Sequence, residues 1–247
     1  PERAESTGRA EQAARGEGKR EYVQQMFSDI APRYDLLNHV LSMNIDKAWR
    51  RKALRALQWP QRPAGSYLDL CAGTLDVGAA LVKQPGFAGF VAGADFAVPM
   101  LRHGNGKASR DVLAPVGADA LALPFATTSL DGAIVAFGIR NVTHIDKALA
   151  EAHRVLRHGG RFYCLEFSTT EWPGFKEAYD LYSHKLVPKI GEAIAGDADS
   201  YRDLIESIRR FPDMPTFAAA ISTTCSMTKF ICGEPNPRIA PATTLLV

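Results

Sequence analysis

Short apolar runs alternate with helical stretches through the middle of this 247-residue chain. The alternation indicates βαβ units, which build a parallel sheet with helices on both faces. We therefore expect an α/β fold with a doubly wound sheet and right-handed crossovers. The predicted strands are residues 66–71, 90–94, 116–118, 132–137 and 161–167, and the helices between them are residues 76–82, 98–108 and 145–156.

The segments outside this core divide the chain further. Residues 1–20 are polar, with only small apolar residues, and are expected to form a disordered leader. Residues 21–60 carry helical patterns that predict an N-terminal cap, and residues 172–220 carry further helical segments. Residues 222–247 are an atypical tail in which several prolines argue against continued regular structure. We predict a single domain over residues 21–247, with its core at residues 66–168.

Composition excludes several classes of function. The chain has 29 Lys+Arg against 27 Asp+Glu, and a net charge of only +2 argues against broad nucleic-acid binding. No run of 18 apolar residues occurs, so no transmembrane helix is predicted. The four cysteines are scattered and include no CxxC pair, which argues against a disulfide framework and a zinc site. We predict no metal centre and a reducing, cytoplasmic location.

The loop after the first predicted strand is the first candidate site, because ligands of open α/β sheets bind beyond the carboxyl ends of the strands. Gly73 in this loop permits close approach of the backbone to a ligand. Asp69, Thr74 and Asp76 flank it and could contact the same ligand. Each has a structural alternative: Asp69 could accept from backbone N–H groups, Thr74 could cap the next helix, and Asp76 could favour its dipole.

Two further acids end the next strands. Asp95 comes 19 residues after Asp76, where a carboxylate can accept from both hydroxyls of a ribose. Asp119, followed by Ala120, could accept from an adenine amino group or serve only in a turn. Ala136 stands at the end of the fourth strand. A glycine turn followed by two strand-end acids predicts a nucleoside-binding site.

The glycine spacing separates two nucleoside cofactors. The G-x-G-x-x-G motif of dinucleotide sites is absent, since Leu75 stands where its middle glycine would be. Asp76 at the helix start would also repel a pyrophosphate. A cationic sulfonium nucleoside meets no such repulsion, so these residues favour S-adenosylmethionine over NAD.

Two sequence blocks give the chain a specific resemblance. The first reads FSDIAPRYDLLN at residues 27–38, and the second begins with FGIRNV at residues 137–142. Matching residues continue through 165–168 and 200–212. From about residue 22 to residue 217 the chain resembles the ubiquinone/menaquinone biosynthesis C-methyltransferase family.

The resemblance implies a Rossmann-like methyltransferase sheet with an N-terminal helical cap and a helical insertion on the substrate side. It implies methyl transfer from S-adenosylmethionine to a ring carbon of a polyprenylated quinol. By this resemblance Arg140 stabilises the developing quinolate, Asn141 orients its oxygen, and Tyr34 with Asp35 closes over the cofactor. The implied cofactor-binding residues are Asp69, Gly73, Thr74, Asp76, Asp95, Asp119, Ala120 and Ala136.

The resemblance also bears on partners. A lipid substrate implies peripheral contact with the inner face of the membrane, and both a homodimer and a quinone-biosynthesis complex remain open. A methyltransferase for another small molecule and a catalytically impaired scaffold subunit are the alternatives, with an NAD dehydrogenase the most distant one.

Two departures from the family pattern carry structural expectations. Leu75 replaces a glycine, so we expect a narrower space beside the cofactor and a backbone that resists positive φ. The C-terminal hairpin of the family is not recognisable after Phe217, so we expect an exposed edge of the sheet.

Overall fold

The computed structural model describes residues 18–31, 45–167, 207–208, 210–225 and 243–246. Tyr34, Asp35 and most of the predicted leader and helical insertion lie outside these residues. The described helices are α1 (Lys19–Ile30), α2 (Ile45–Ala56), α3 (Asp76–Val82), α4 (Val98–Gly104), α5 (Ile145–Val155) and α6 (Met214–Cys225). The strands are β1 (Ser66–Leu70), β2 (Phe90–Asp95), β3 (Leu113–Gly117), β4 (Leu130–Ala136), β5 (Leu156–Phe167) and β6 (Thr243–Leu246).

These strands form one sheet in the order β3-β2-β1-β4-β5-β6. The first five are parallel, and β6 pairs antiparallel with β5. The strand order reverses between β1 and β4, which opens a crevice at their carboxyl ends. The predicted doubly wound α/β sheet is confirmed, and the crevice is where the predicted strand-end residues converge.

Alternation along the strands divides the core into two layers. In β1, Leu68 and Leu70 face a cluster that includes side chains of α5 and α6. Tyr67, which precedes Leu68, faces the opposite cluster, to which α2 and α3 contribute. Successive side chains of a strand point to opposite faces, so helices cover both sides of the sheet. This places α2 and α3 on the same face.

Two sequence predictions about boundaries were wrong. Lys19 and Arg20, placed in the leader, belong to α1. The third strand begins at Leu113 rather than at Val116 and contains Pro115. A proline is tolerated there because β3 is an edge strand of the described sheet, where one backbone N–H is not needed.

The predicted exposed edge was also wrong. Thr243–Leu246, in the tail judged irregular, pairs with β5 from Cys164↔Leu246 to Phe167↔Thr243. An antiparallel partner satisfies backbone groups of β5 that would otherwise face solvent. The outer side of β5 is therefore covered over this stretch.

Candidate functional site

A cleft of about 750 Å³ opens at the carboxyl ends of the strands where their order reverses. Six of the residues predicted from the sequence line it: Gly73, Asp95, Asp119, Ala120, Ala136 and Asn141. The structure thus brings together residues that are up to 68 positions apart in the chain, from Gly73 to Asn141.

Asp95 at the end of β2 organises one wall of the cleft. Its Oδ2 accepts from the backbone N–H of Gly73, and its Oδ1 accepts from the N–H of Ala97, each at 2.8 Å. Burial raises the pKa of Asp95, and these backbone donors oppose that rise. Each carboxylate oxygen has a second lone pair, so Asp95 can still accept from a ligand diol.

Asp119 lies on the next strand end along the cleft. Its Oδ1 accepts from the backbone N–H of Leu121 at 2.9 Å, which fixes the turn that follows β3. Ala120, beside it, is buried and presents a small surface to the cleft. A flat apolar ring fits against such a surface while the neighbouring carboxylate accepts from an amino group.

The loop between β1 and α3 is held in an unusual backbone conformation. Gly73 has φ +51°, and Leu75 has φ +65°. The expectation that leucine would resist a positive φ was therefore wrong. The side chain of Leu75 is 2% exposed and does not line the cleft, so the expected narrowing was wrong too.

Two glycines make room for the Leu75 side chain. A Cβ at Gly93 would overlap Leu75 Cδ2, and a Cβ at Gly104 would come within 2.8 Å of Leu75 Cγ. The leucine therefore fills space between β2 and α4 that larger neighbours would occupy. The packing of this side chain offsets the cost of a left-handed backbone at a residue with a Cβ.

Asp69 is buried beneath the same loop and does not line the cleft. Its Oδ2 accepts from the backbone N–H of Gly78 at 2.8 Å. Burial raises the pKa of Asp69 to about 8; the Gly78 hydrogen bond and Arg50 oppose the rise, and Asp95 adds to it. The sequence analysis offered a structural role for Asp69, in which its carboxyl group accepts from backbone N–H groups, and the observed contacts are of this kind.

Thr74 and Asp76 also lie outside the residues that line the cleft. Thr74 is 3% exposed. Asp76 forms ion pairs with Arg50 at 2.5 Å and with Lys107 at 2.6 Å. Burial by itself would raise the pKa of Asp76, but these two cations outweigh it and hold the pKa below its ordinary value. The Arg50 pair ties α2 to the start of α3, and the Lys107 pair ties the segment after α4 to the same point, beside the glycine loop.

Arg140 is buried behind the opposite wall and does not line the cleft. Its Nη1 pairs with Glu166 Oε1 at 2.7 Å and also donates to the carbonyl of Phe137. Its Nε donates to Ser207 Oγ at 3.2 Å. These contacts hold the loop after β4, so direct contact of Arg140 with a substrate oxygen stays a prediction.

Asn141, one residue later, lines the cleft. Its Nδ2 is buried and finds no hydrogen-bond partner among the described residues. A buried amide donor without a partner costs about 1–3 kcal/mol, so such a donor at a cleft is suited to a ligand acceptor.

Most of the apolar lining of the cleft was missed by the sequence predictions, which named only Ala120 and Ala136. Phe27 of α1 lines it and packs against Ala97 and Met100, so the N-terminal helix covers one side. Phe96 and Phe137 add aromatic surface. Phe27 and Phe137 begin the two resembling blocks, but an aromatic residue at helical spacing is ordinary in a core, so spacing carried no signal for a site.

The charge of the cleft distinguishes between ligands. Among the described lining residues are two carboxylates, Asp95 and Asp119, and no lysine or arginine. A pyrophosphate would meet only negative charge here, whereas a sulfonium nucleoside carries a cation toward it. The residues present therefore fit S-adenosylmethionine. No cluster of metal-ligating side chains and no helix long and apolar enough to cross a membrane occurs in the described part of the chain.

Comparisons with solved structures agree with this fold. A Methanococcus maripaludis protein described as an S-adenosyl-L-methionine-dependent methyltransferase has a TM-score of 0.62 at 16% identity, covering 89% of this chain and 91% of its own. A SAM-dependent methyltransferase of Thermotoga maritima has a TM-score of 0.58 at 15% identity, covering 90% and 96%. At these identities the likeness concerns the fold.

Comparisons of sequence find relatives with higher identity to this chain. "Ubiquinone/menaquinone biosynthesis C-methyltransferase UbiE" of Brucella abortus (strain S19) is 43% identical over 207 residues, which cover 82% of this chain and 77% of that protein. The Brucella anthropi protein of the same name is 42% identical, covering 82% and 79%.

The sequence model of one family matches residues 15–227, a wider range than the resemblance predicted. The match confirms the predicted methyltransferase class and its S-adenosylmethionine cofactor. The chain belongs to the ubiE/COQ5 methyltransferase family.

Proposed function

We propose that this protein methylates a ring carbon of a polyprenylated quinol in quinone biosynthesis, with S-adenosylmethionine as the methyl donor. The observation that carries the proposal is 43% identity, over 82% of the chain, to a ubiquinone/menaquinone biosynthesis C-methyltransferase. The cleft supports it because its lining combines carboxylates for a cationic nucleoside with an extensive apolar surface.

The proposed binding residues for the cofactor are those at the strand ends. Asp95 accepts from the ribose hydroxyls, Asp119 accepts from the adenine amino group, and Gly73 and Ala120 permit close approach of the nucleoside. When bound, S-adenosylmethionine supplies a methyl group on a positively charged sulfur. Asp69 and Asp76 support the glycine loop from behind, through Gly78 and Arg50 respectively. A cofactor contact of Thr74 or Ala136 stays a prediction.

Two features of the chain serve the chemistry. Asn141 Nδ2 donates to the quinol oxygen as negative charge develops on it, which stabilises that charge where water is excluded. Phe27, Phe96 and Phe137 exclude water from the reacting atoms. Arg140 positions the loop that carries Asn141 through its contacts with Glu166 and Phe137. Tyr34 stays a proposed part of the cap over the cofactor.

The proposed substrate also sets where the enzyme works. A polyprenyl chain keeps the quinol in a lipid bilayer, so we propose that the enzyme meets it at the membrane surface as a peripheral protein. A homodimer or a larger quinone-biosynthesis complex is compatible with this proposal and is not needed for the site described.

A methyl-transfer assay tests the proposal. Purified protein is supplied with S-adenosylmethionine labelled in the methyl group and with short-chain demethylmenaquinol or benzoquinol analogues. We expect a labelled methyl group on a ring carbon of the quinol with one of the two classes. Binding of the donor without transfer to either class would contradict the proposed function and favour the scaffold alternative.

Cofactor binding is tested separately with Asp95→Asn. We expect its affinity for S-adenosylmethionine, measured by isothermal titration, to fall about 10-fold or more, since a bidentate charged acceptor becomes a mixed donor and acceptor. Asp111→Asn, an exposed acid away from the cleft, is the matched control and should bind as the wild type does. Equal affinity of both variants would exclude Asp95 from the cofactor site.

A further inference from the structure

Positive charge is concentrated in one helix of this nearly neutral protein. Helix α2 (Ile45–Ala56) contains five basic residues and one acidic residue, a net charge of +4 over 12 residues. The whole chain carries +2, so the other 235 residues together carry −2. Helix α2 is therefore strongly cationic although the net charge of the whole chain is small.

The structure separates the charges of α2 between its two sides. The single acid, Asp46, is 3% exposed, and Arg50 turns inward to pair with Asp76. The other four basic residues are exposed, and no ion pair joins them to a carboxylate among the described residues; they are Lys47, Arg51, Lys52 and Arg55. At 100° per residue they fall within an arc of about 140° on the helix. We call these four residues the cationic face.

The opposite side of α2 packs against the candidate site. Trp49 is buried, and its ring lies 6.2 Å from the ring of Phe137, centroid to centroid. Phe137 lines the cleft. Trp49 and Phe137 therefore connect α2 to the cleft, so a surface held against the cationic face is held close to the site.

We propose that the cationic face of α2 docks the enzyme onto the anionic phospholipid surface of the membrane that contains its substrate. The inference rests on the proposed function, because a polyprenylated quinol is a bilayer component. Lys and Arg near an anionic leaflet each strengthen binding by about fivefold, and the attraction decays within about 8 Å at physiological salt. Four exposed cations give reversible attachment without an inserted apolar segment. Nucleic acid is the less suitable partner, because the face carries no aromatic side chain on which a base could stack.

Vesicle co-sedimentation tests the docking surface. The probes are phosphatidylcholine vesicles and vesicles in which part of the lipid is phosphatidylglycerol, at low and high NaCl. The variant Lys47→Gln/Lys52→Gln removes two charges from the face, and Lys83→Gln/Lys147→Gln removes two charges from exposed lysines elsewhere. Both pairs change the net charge equally, and neither lies in the proposed catalytic or binding machinery.

We expect the wild type to bind the anionic vesicles and to be released by high salt. The partition coefficient of Lys47→Gln/Lys52→Gln should fall about 25-fold, at about fivefold for each charge, and that of the control pair by less than about twofold. Equal losses in the two variants would overturn the proposal, since net charge alone would then explain binding. Absence of wild-type binding would also overturn it, as would binding of a duplex RNA in place of the vesicles.

Turnover on a short-chain, water-soluble quinol separates this proposal from the proposed function. Lys47→Gln/Lys52→Gln should methylate that substrate at the wild-type rate and should lose activity only on quinol embedded in anionic vesicles. If the wild type binds vesicles through α2 but methylates no quinol, the docking surface stands and the proposed function fails. If turnover on the soluble quinol falls in the variant as well, the lysines act on the site and the docking proposal is wrong.

Discussion

The two loops that border the cleft differ in how their polar groups are satisfied. In the loop after β1, the backbone N–H of Gly73 donates to Asp95, and in the first turn of α3 the N–H of Gly78 donates to Asp69. In the loop after β4, the Arg140 guanidinium is paired, but Asn141 Nδ2 finds no partner within the described residues. The first loop holds its shape without a ligand, and the second keeps a donor for one. The proposed chemistry is thus assigned to the second loop, and cofactor binding to the glycine loop together with the ends of β2 and β3.

The largest expected effect comes from breaking the anchor of the second loop. Glu166→Gln leaves Arg140 as a buried charge without its full partner, which should lower the free energy of unfolding by about 3–5 kcal/mol. Glu151→Gln, which disrupts the more exposed pair with Arg154, is the control and should cost about 1 kcal/mol or less. Urea unfolding measures both. Similar losses in the two variants would mean that Glu166 does not anchor the loop.

The unpartnered donor of the second loop is the next target. Asn141→Ala should lower kcat about 100- to 1,000-fold, as expected for a group that stabilises developing negative charge. Affinity for S-adenosylmethionine, measured by titration, should stay within about twofold, since cofactor binding is assigned to Gly73, Asp95, Asp119 and Ala120. Asn105→Ala, an exposed asparagine, should leave both values unchanged. A loss of affinity with normal kcat would place Asn141 in cofactor binding rather than in the chemistry.

The first loop is tested by restoring the glycine of the family pattern. Leu75→Gly removes the strain of a left-handed backbone at a residue with a Cβ, which should stabilise the fold by about 1 kcal/mol. It also removes a buried side chain, which should destabilise the fold by about 3–4 kcal/mol. We expect a net loss of about 2–3 kcal/mol in the free energy of unfolding, measured by chemical denaturation.

A double-mutant cycle sharpens the same test. Gly93→Ala should destabilise the wild type, because the new Cβ overlaps Leu75 Cδ2, and should be tolerated in the Leu75→Gly background. Additive losses in the double variant would show that the two positions do not share this space.

The smallest expected effect concerns pH and Asp69. Burial raises the folded-state pKa of Asp69 to about 8 from an ordinary value of 3.8, so the folded state retains a proton that the unfolded state releases. This contribution to stability is complete below pH 3.8 and is lost as the pH rises through 8. The wild type should therefore lose about 1 kcal/mol relative to Asp69→Asn between about pH 6.5 and 7.5. Parallel stability curves for the two proteins would show that Asp69 is ionised in the fold.

The sequence predicted most of the sheet because its strands are local apolar runs. The predicted ends of β1, β2 and β4 lie within two residues of those observed. Strand β6 was missed because four residues in a tail rich in proline form a strand only through pairing with β5, and no local pattern records a partner so far along the chain. The first residues of β3 were missed because Pro115 is compatible with a strand only at the edge of a sheet, and the sequence does not show which strand lies at the edge.

The candidate site was predicted less evenly. Asp95 and Asp119 were found because polar residues after apolar runs stand out, Asn141 was found through the resemblance, and all three line the cleft. Arg140 was placed in the chemistry by resemblance, whereas its contact with Glu166 spans 26 residues and could be seen only in the fold. Phe27 could not be found from its spacing, since an apolar residue that faces a ligand follows the same periodicity as one that faces a core.

The packing of Leu75 between Gly93 and Gly104 has a consequence for engineering. A library that randomises position 75 alone will return few proteins that accumulate in cells, because each smaller residue leaves a void and each larger one meets two backbones. Randomising positions 75 and 93 together allows glycine at one site to be exchanged for bulk at the other, whereas a side chain at position 104 would still meet the backbone of Thr74. Functional diversity in this loop is therefore reached by changing positions 75 and 93 together.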